Sequence, residues 1–370
     1  MIKIEKKWLL SFDWTLLIVS LAICAIGVLN IYSTGFSLTS TKIPLYLKQI
    51  QWIVIGLFFL LVIVSVDYRL LNRYAYVLHG FSILLLVFVS LYGYTTHGSQ
   101  RWIALGGFTF QPSELVKFTL ILALARYFST HGVSGTRYGF GDLLVPLALV
   151  LLPFILILRQ PDLGTALLLL IIFLSVIIFV GVRIRDLLIG GISGLLMIPL
   201  AWHFLKDYQR ERILTFLDPE RDPLGAGYHI IQSMIAVGSG GLLGKGFLKG
   251  TQTQLKFLPE QQTDFVFSVF AEEWGFAGGV SLVILFLFLV LWGFKIANNS
   301  RDLPGTIMAY GITIMIFWGV FINIGMVIGI LPVVGVPLPF LSYGGSSIVV
   351  LMMSIGLLIN ISMRRFILLP

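Results

Sequence analysis

The chain has 370 residues, of which 58% are hydrophobic and only 11% charged, with a mean hydropathy of +0.97. So few polar side chains cannot cover a water-soluble globule of this length, and a bilayer is the solvent that the composition fits. The formal net charge of +8 does not point to nucleic acid, because most Lys and Arg sit in short connections between apolar runs, where charge reports topology.

Lys3, Lys6 and Lys7 precede an apolar run that begins near Trp14 and ends near Tyr32. It is too long for a signal peptide and lacks a small-residue cleavage site, so it reads as a first spanning helix. The only cysteine, Cys24, lies inside it, which excludes an intrachain disulfide or a cysteine metal site. A spanning helix takes about 20 mostly apolar residues. Windows of that kind are predicted at about 12–32, 50–66, 74–95, 113–128, 143–159, 162–181, 187–205, 265–294, 305–330 and 343–362. The expected fold is all-α: one polytopic membrane domain over 1–370 with about ten transmembrane helices.

An even number of spans places both termini on one side. That side carries Lys3, Lys6, Lys7, Arg69, Arg73, Arg126, Arg137, Arg183, Arg185, Lys295, Arg301, Arg364 and Arg365, against Lys42, Lys48, Arg101 and Arg159 in the short opposite loops. Basic residues concentrate in short cytoplasmic loops, so both termini are expected inside and the long polar segment 206–264 outside. That segment holds Arg210, Arg212 and Lys245 and is too long for a simple connector. A short amphipathic helix is expected at about Tyr228–Val237, lying at the interface. Within the segment, Gly238-Ser-Gly-Gly-Leu-Leu-Gly-Lys-Gly246 fails the P-loop pattern at Ser239 and Gly246. Its glycines beside Lys245, Lys249 and Lys256 remain a candidate cradle for phosphate.

Four polar clusters interrupt the apolar pattern. Glu114 and Lys117 stand three residues apart near a helix start, with Gln111 and Ser113 beside them and Arg101-Trp102 just upstream. Charges inside spans cost roughly 2.5–3.5 kcal/mol each, so an ion pair is expected, either as a clamp between helices or as a substrate contact. Asp162, after Pro161, is a helix cap or a second carboxylate of the site. Asp264 ends the long segment, and Ser268 and Glu272 continue one polar stripe from it along the next helix. Leu331-Pro-Val-Val-Gly-Val-Pro-Leu-Pro-Phe340, followed by Leu341-Ser342-Tyr343, reads as a re-entrant or outer loop walling a cavity. Carboxylates and cations on one face, without a His/Cys metal set or a Ser–His–Asp pattern, suit an anionic amphipathic substrate such as a lipid-linked phosphate. One carboxylate then serves as general base for transfer to a hydroxyl.

Gln111-Pro-Ser-Glu-Leu-Val-Lys117, Gln160-Pro-Asp-Leu-Gly-Thr165, the run Asp218 to Ser233, Pro259 to Asp264, and Pro337 to Ser346 resemble the SEDS family (shape, elongation, division and sporulation). The run Pro223 to His229, Lys249 to Gln254 and Ile330 to Gly335 resemble its elongation branch most, and its division branch next. The resemblance spans nearly the whole chain. It implies a peptidoglycan glycosyltransferase of the bacterial cytoplasmic membrane that polymerises lipid II, the undecaprenyl-pyrophosphate-linked disaccharide peptide. The partners it implies are a class B penicillin-binding protein as transpeptidase, other membrane proteins of the elongation complex, and membrane lipids.

By the same resemblance Asp264 is the catalytic base, and Glu114 with Lys117 an intramembrane pair that supports or contacts substrate. Gln262 stands where the family often has histidine, so an obligatory proton shuttle at that position is not expected here. Arg101, Arg210, Arg212 and Lys245 are candidates for the pyrophosphate on charge and side alone, and Gln111, Ser113, Asp162, Ser342 and Tyr343 complete the candidate site. Carboxylates on one face leave room for a divalent cation, Mg2+ or Mn2+, although no coordination pattern specifies it. A lipid II flippase and a scaffold that activates the transpeptidase are the competing readings.

Overall fold

The computed structural model describes residues 11–35, 44–96, 99–105, 108–131, 137–204, 207–222, 225–255, 257–258 and 260–365. Lys3, Lys6, Lys7, Lys42, Lys206, Pro223, Leu224, Lys256 and Pro259 lie outside them. The first half contains α1 (Trp14–Gly35), α2 (Leu45–Ser65), a short α3 (Tyr68–Arg73), α4 (Ala75–Tyr92), strands β1 (Tyr94–Thr96), β2 (Ser99–Leu105) and β3 (Phe108–Phe110), α5 (Pro112–Thr130), α6 (Leu144–Arg159) and α7 (Leu163–Val180). There follow α8 (Ile184–Phe204), α9 (Asp207–Leu217), α10 (Ala226–Ser239), α11 (Thr251–Gln254), α12 (Val266–Asn298), α13 (Leu303–Val327) and α14 (Gly345–Arg364).

Among the described residues eight helices are long and apolar enough to cross a bilayer, namely α1, α2, α4, α6 with the 3-10 turn before it, α7, α12, α13 and α14. Two more stand where the sequence predicts spans. Of these, α8 is 21 residues long, and α5 is 19 residues long and carries Glu114, Lys117 and Arg126. The charges of α5 are tolerated because the helix is buried nearly throughout among its neighbours and meets little lipid. The chain is a polytopic helical membrane protein.

With α5, α13 and α14 supply most of the buried centre. Close approach of α2 and α14 depends on Gly356, where a Cβ would lie 2.8 Å from the Leu60 carbonyl oxygen. Asn360 of α14 donates to the Ile63 and Val64 carbonyls at 2.6 and 3.2 Å, closing the C-terminal end of α2. At that end of the bundle the Tyr68 hydroxyl donates to Asp302 (2.9 Å), Arg364 pairs with Asp67 (3.0 Å), and the Trp292 indole donates to Asp13 (2.9 Å). These contacts tie together the helix ends farthest along the chain direction from the polar clusters.

Two features were not anticipated. The connection between α4 and α5 folds into a three-stranded antiparallel sheet in the order β1-β2-β3. The segment 206–264 is also more helical than the single short helix expected, and α10 covers that helix over Ala226–Ser239. Ser233 of α10 bonds Ser268 (2.8 Å) and the Val327 carbonyl (2.8 Å), so α10 is docked on α12 and α13.

α12 is broken at Gly275, with φ 67° and ψ −166°. The glycine-rich run 238–246 repairs the break: the Phe276 and Ala277 amides donate to the Gly241 and Leu242 carbonyls, at 2.8 and 3.0 Å. In return the Lys245 and Gly246 amides donate to the Glu272 and Glu273 carbonyls, both at 3.0 Å. This corrects the phosphate-cradle expectation, because the Lys245 and Gly246 amides are taken by the broken helix and those of Gly240, Gly241 and Gly244 by carbonyls of the run and its approach. A Cβ on Gly244 would stand 2.1 Å from the Glu273 carbonyl oxygen, which accounts for glycine at that crossing.

Candidate functional site

Between α13 and α14 the chain runs without helix through its prolines, and Val336, Leu338, Phe340 and Leu341 are buried. Irregular backbone at this depth needs its polar groups satisfied by protein. The Leu338 amide donates to Ser342 Oγ (2.8 Å), which donates in turn to the Thr263 carbonyl (2.6 Å). The Tyr343 amide donates to the Gln262 carbonyl (2.8 Å), and Gln49 Nε2 to the Ser342 carbonyl (3.0 Å). Gly164 at the start of α7 abuts the loop so closely that a Cβ there would meet the Val334 carbonyl oxygen at 2.4 Å. The loop is therefore a rigid wall shared by α2, α7, α13 and the entrance to α12.

Asp264 sits at that entrance, one residue outside the capping position of α12. Its amide and those of Thr263 and Phe265 converge on the Glu260 carbonyl in a tight turn, where Glu260 itself has φ 47°. The side chain is half-buried and faces the loop: a Cβ on Gly335, at φ 74°, would lie 3.4 Å from Asp264 Oδ2. Burial, then the Glu260 and Asp162 carboxylates, push the Asp264 carboxyl from 3.8 up to about 6, against the opposing pull of Arg212 and Arg101. A carboxylate near 6 is mostly ionised at neutral pH yet a much better proton acceptor than a solvated aspartate.

Arg101, on β2, donates to the Gln160 carbonyl (2.7 Å) and the Pro161 carbonyl, with Asp162 3.8 Å away. Asp162 caps α7 through the Thr165 amide (3.2 Å) and accepts from Gln111 Nε2 (3.2 Å). Gln111 also bonds Ser113 Oγ (2.9 Å), and its amide donates to Ser346 Oγ (2.9 Å). Arg101, Gln111, Ser113 and Asp162 thus form one connected wall. Arg101 and Asp162, with Glu260 and Arg212 of α9, are also the charges that act on Asp264.

Glu114 and Lys117 form the expected pair at 2.8 Å and are 4% and 7% exposed. They line a cavity of about 20 Å³ with Leu168, Met315, Gly319, Val336 and Pro337, behind the loop that carries Gly335. That volume holds about one water molecule. The pair thus borders the loop residues Val336 and Pro337 across this small space.

Other candidates are engaged elsewhere. Lys245 is bound to Glu272 (2.7 Å) and Thr251 (2.8 Å), and Arg210 closes the end of α8 through the Trp202 and His203 carbonyls (3.0 and 2.9 Å). The stripe from Asp264 is structural beyond its first member, since Ser268 bonds Ser233 and the fully buried Glu272 gathers Lys245, Thr251, Gln252 and Thr253. Among the described residues no group of three His, Cys, Asp or Glu side chains is placed to hold a metal ion.

Sequence reasoning missed Gln49 and Asn323, both fully buried. A lone amide near the end of an apolar helix was the available signal.

The Cell cycle protein family model FTSW_RODA_SPOVE matches residues 13–366. The chain is 42% identical over 354 residues to the peptidoglycan glycosyltransferase MrdB of Escherichia coli K12, covering 95% of this chain and 94% of that one. It is 36% identical to the peptidoglycan glycosyltransferase RodA of Treponema pallidum, covering 96% and 98%. Its fold is similar to a chain in a solved structure described as structural coordination of polymerization and crosslinking by a peptidoglycan synthase complex, with TM-score 0.81, 34% identity and coverage of 96% and 98%. It is also similar to the rod shape determining protein RodA of Thermus thermophilus, with TM-score 0.71, 31% identity and the same coverage. The motifs and the fold agree with these matches over nearly the full length, and the chain belongs to the FtsW/RodA/SpoVE family of cell cycle proteins.

Proposed function

We propose that Asp264 is the general base of this peptidoglycan glycosyltransferase, and that the enzyme polymerises lipid II during cell elongation. The acceptor's sugar 4-hydroxyl attacks the anomeric carbon of the donor, Asp264 Oδ takes the hydroxyl proton, and undecaprenyl pyrophosphate leaves with the bonding pair of the broken glycosyl–oxygen bond. The observation that carries this reading is the Asp264 carboxyl itself, half-buried against Gly335 and shifted to about 6. Arg101 and Arg212, the cations whose charge acts on Asp264, are the residues we assign to the departing pyrophosphate. Lys245 and Arg210 are held by other bonds and serve the scaffold.

The bias of Lys and Arg toward the connections on the side of the termini supports an orientation in the bacterial cytoplasmic membrane with Asp264 on the outer face. A class B penicillin-binding protein is the transpeptidase we assign as partner. Its support is the match to a chain of a complex that coordinates polymerization and crosslinking. A Mg2+ or Mn2+ ion, if the reaction uses one, would be held in part by the substrate's pyrophosphate oxygens, which are hard ligands suited to either cation.

The test is to give the purified protein lipid II, alone and with its partner, and to resolve the products by length. Glycan chains are expected from the parent, and a loss of at least about 100-fold from Asp264→Ala, the scale of a lost general base. Equal polymerisation by the variant removes Asp264 from the chemistry. No chains from either protein, with the partner present, would leave the flippase and scaffold readings standing in place of the enzyme.

A further inference from the structure

We propose that Asn323 and Ser342 are positioning residues for the glycosyl transfer, two pins that fix the backbone of residues 263 and 264 to the proline-rich loop and so aim the Asp264 carboxylate. The inference rests on the reading of Asp264 as base and concerns how that base is held.

Asn323 lies in α13, one turn before its end, and is fully buried. Its Nδ2 donates to the Asp264 carbonyl at 3.0 Å and to the Val336 carbonyl at 2.8 Å. One side-chain amide therefore joins α13, the turn entering α12, and the loop. Among the described residues its Oδ1 is buried without a hydrogen-bond partner. A bare acceptor in an apolar helix is unfavourable, so both N–H groups of this side chain are what the position uses. Ser342 supplies the second pin, accepting from the Leu338 amide (2.8 Å) and donating to the Thr263 carbonyl (2.6 Å). Consecutive carbonyls, of Thr263 and Asp264, are thereby fastened to one wall.

The Asp264 carboxylate has no comparable fastening of its own. Among the described residues no donor is hydrogen-bonded to it, and the main influences on it are burial and the charges of Glu260, Arg212, Asp162 and Arg101. A side chain of this kind takes its direction from its backbone. Freeing the 263–264 peptide would let the carboxylate swing from Gly335 toward water, and misplacement of a base by about 1 Å costs on the order of 100-fold in rate.

The experiment compares Asn323→Ala, Ser342→Ala and Ser342→Thr with the parent and with Asp264→Ala, in lipid II polymerisation with the partner present. Rates are taken per folded molecule, with folding checked by thermal unfolding in detergent. Asn323→Ala and Ser342→Ala are expected to lower kcat by at least about tenfold with KM within about twofold. They should also move the acid limb of the pH profile to lower pH, as water reaches the loosened carboxylate. Ser342→Thr, which keeps the hydroxyl, is expected to restore both. A kcat and acid limb equal to the parent's would overturn the proposal, as would activity that falls only in step with the folded fraction while the limb stays in place. If Asp264→Ala is itself as active as the parent, the base reading fails and this inference with it. If Asp264→Ala is inactive and the Asn323 and Ser342 variants are normal, the pins alone are wrong.

Discussion

Four charged neighbours surround Asp264, two of each sign, and their effects on its proton oppose one another. Glu260 and Asp162 make the ionised form more costly, while Arg212 and Arg101 favour it, and burial tips the sum upward to about 6. With Asp264 as the proposed base the reaction needs its ionised form, so the rate is expected to rise with pH through about 6 and then level off. Glu260→Gln removes a like charge, stabilises the ionised carboxylate and should shift that limb to lower pH. Arg212→Gln removes an opposite charge and should shift it to higher pH. Polymerisation rates at saturating lipid II between about pH 5 and 8 check both directions, and coincident limbs in all three proteins would show that another group controls the profile. The Glu114–Lys117 pair stood out in the sequence because charge amid apolar residues is costly, whereas Asp264 was singled out through the family resemblance and Asp162 as a cap or second carboxylate. Asn323, Gln49 and the direction of the Asp264 side chain were not legible, since an uncharged amide in a spanning helix gives little sign of which carbonyl it will meet across about 60 or 290 residues of chain.

At the scale of elements, spans show in the sequence as local apolar length, whereas their interruptions depend on distant partners. Runs such as Leu163–Val180 announce themselves by apolar length. The break of α12 at Gly275 depends on carbonyls from the glycine-rich run about 30 residues upstream, a long-range repair with no local pattern. Likewise the loop 331–343 appeared in sequence as prolines and glycines, while its bracing from behind by α5 appeared only in three dimensions. The brace makes a prediction. Either Glu114→Leu or Lys117→Met alone strands a buried charge and should destabilise the protein by about 3–5 kcal/mol. The double variant removes both charges and is expected to recover most of the thermal stability and most of the polymerisation lost in the single ones. Recovery of stability without recovery of activity would instead make the pair a substrate contact.

For the whole molecule the decisive property is which end faces which compartment, because a base for lipid-linked sugars must meet its substrate on one side of the bilayer. The Asp264 end gathers the loop, the small sheet and α9 to α11, while the other end carries ion pairs such as Arg364–Asp67 and Arg69–Asp302 that fasten helix ends together. Basic residues resist translocation, so the end rich in Arg is expected in the cytoplasm. Single cysteines test this with little background, since the native Cys24 is only 2% exposed within α1. Arg221, exposed between α9 and α10, and Arg301, exposed between α12 and α13, are suitable reporters for the two ends. In spheroplasts of an expressing bacterium, a membrane-impermeant maleimide should label Arg221→Cys at once. It should label Arg301→Cys only after the membrane is opened. The reverse pattern would place Asp264 in the cytoplasm, and a substrate delivered on the outer face could then not reach it.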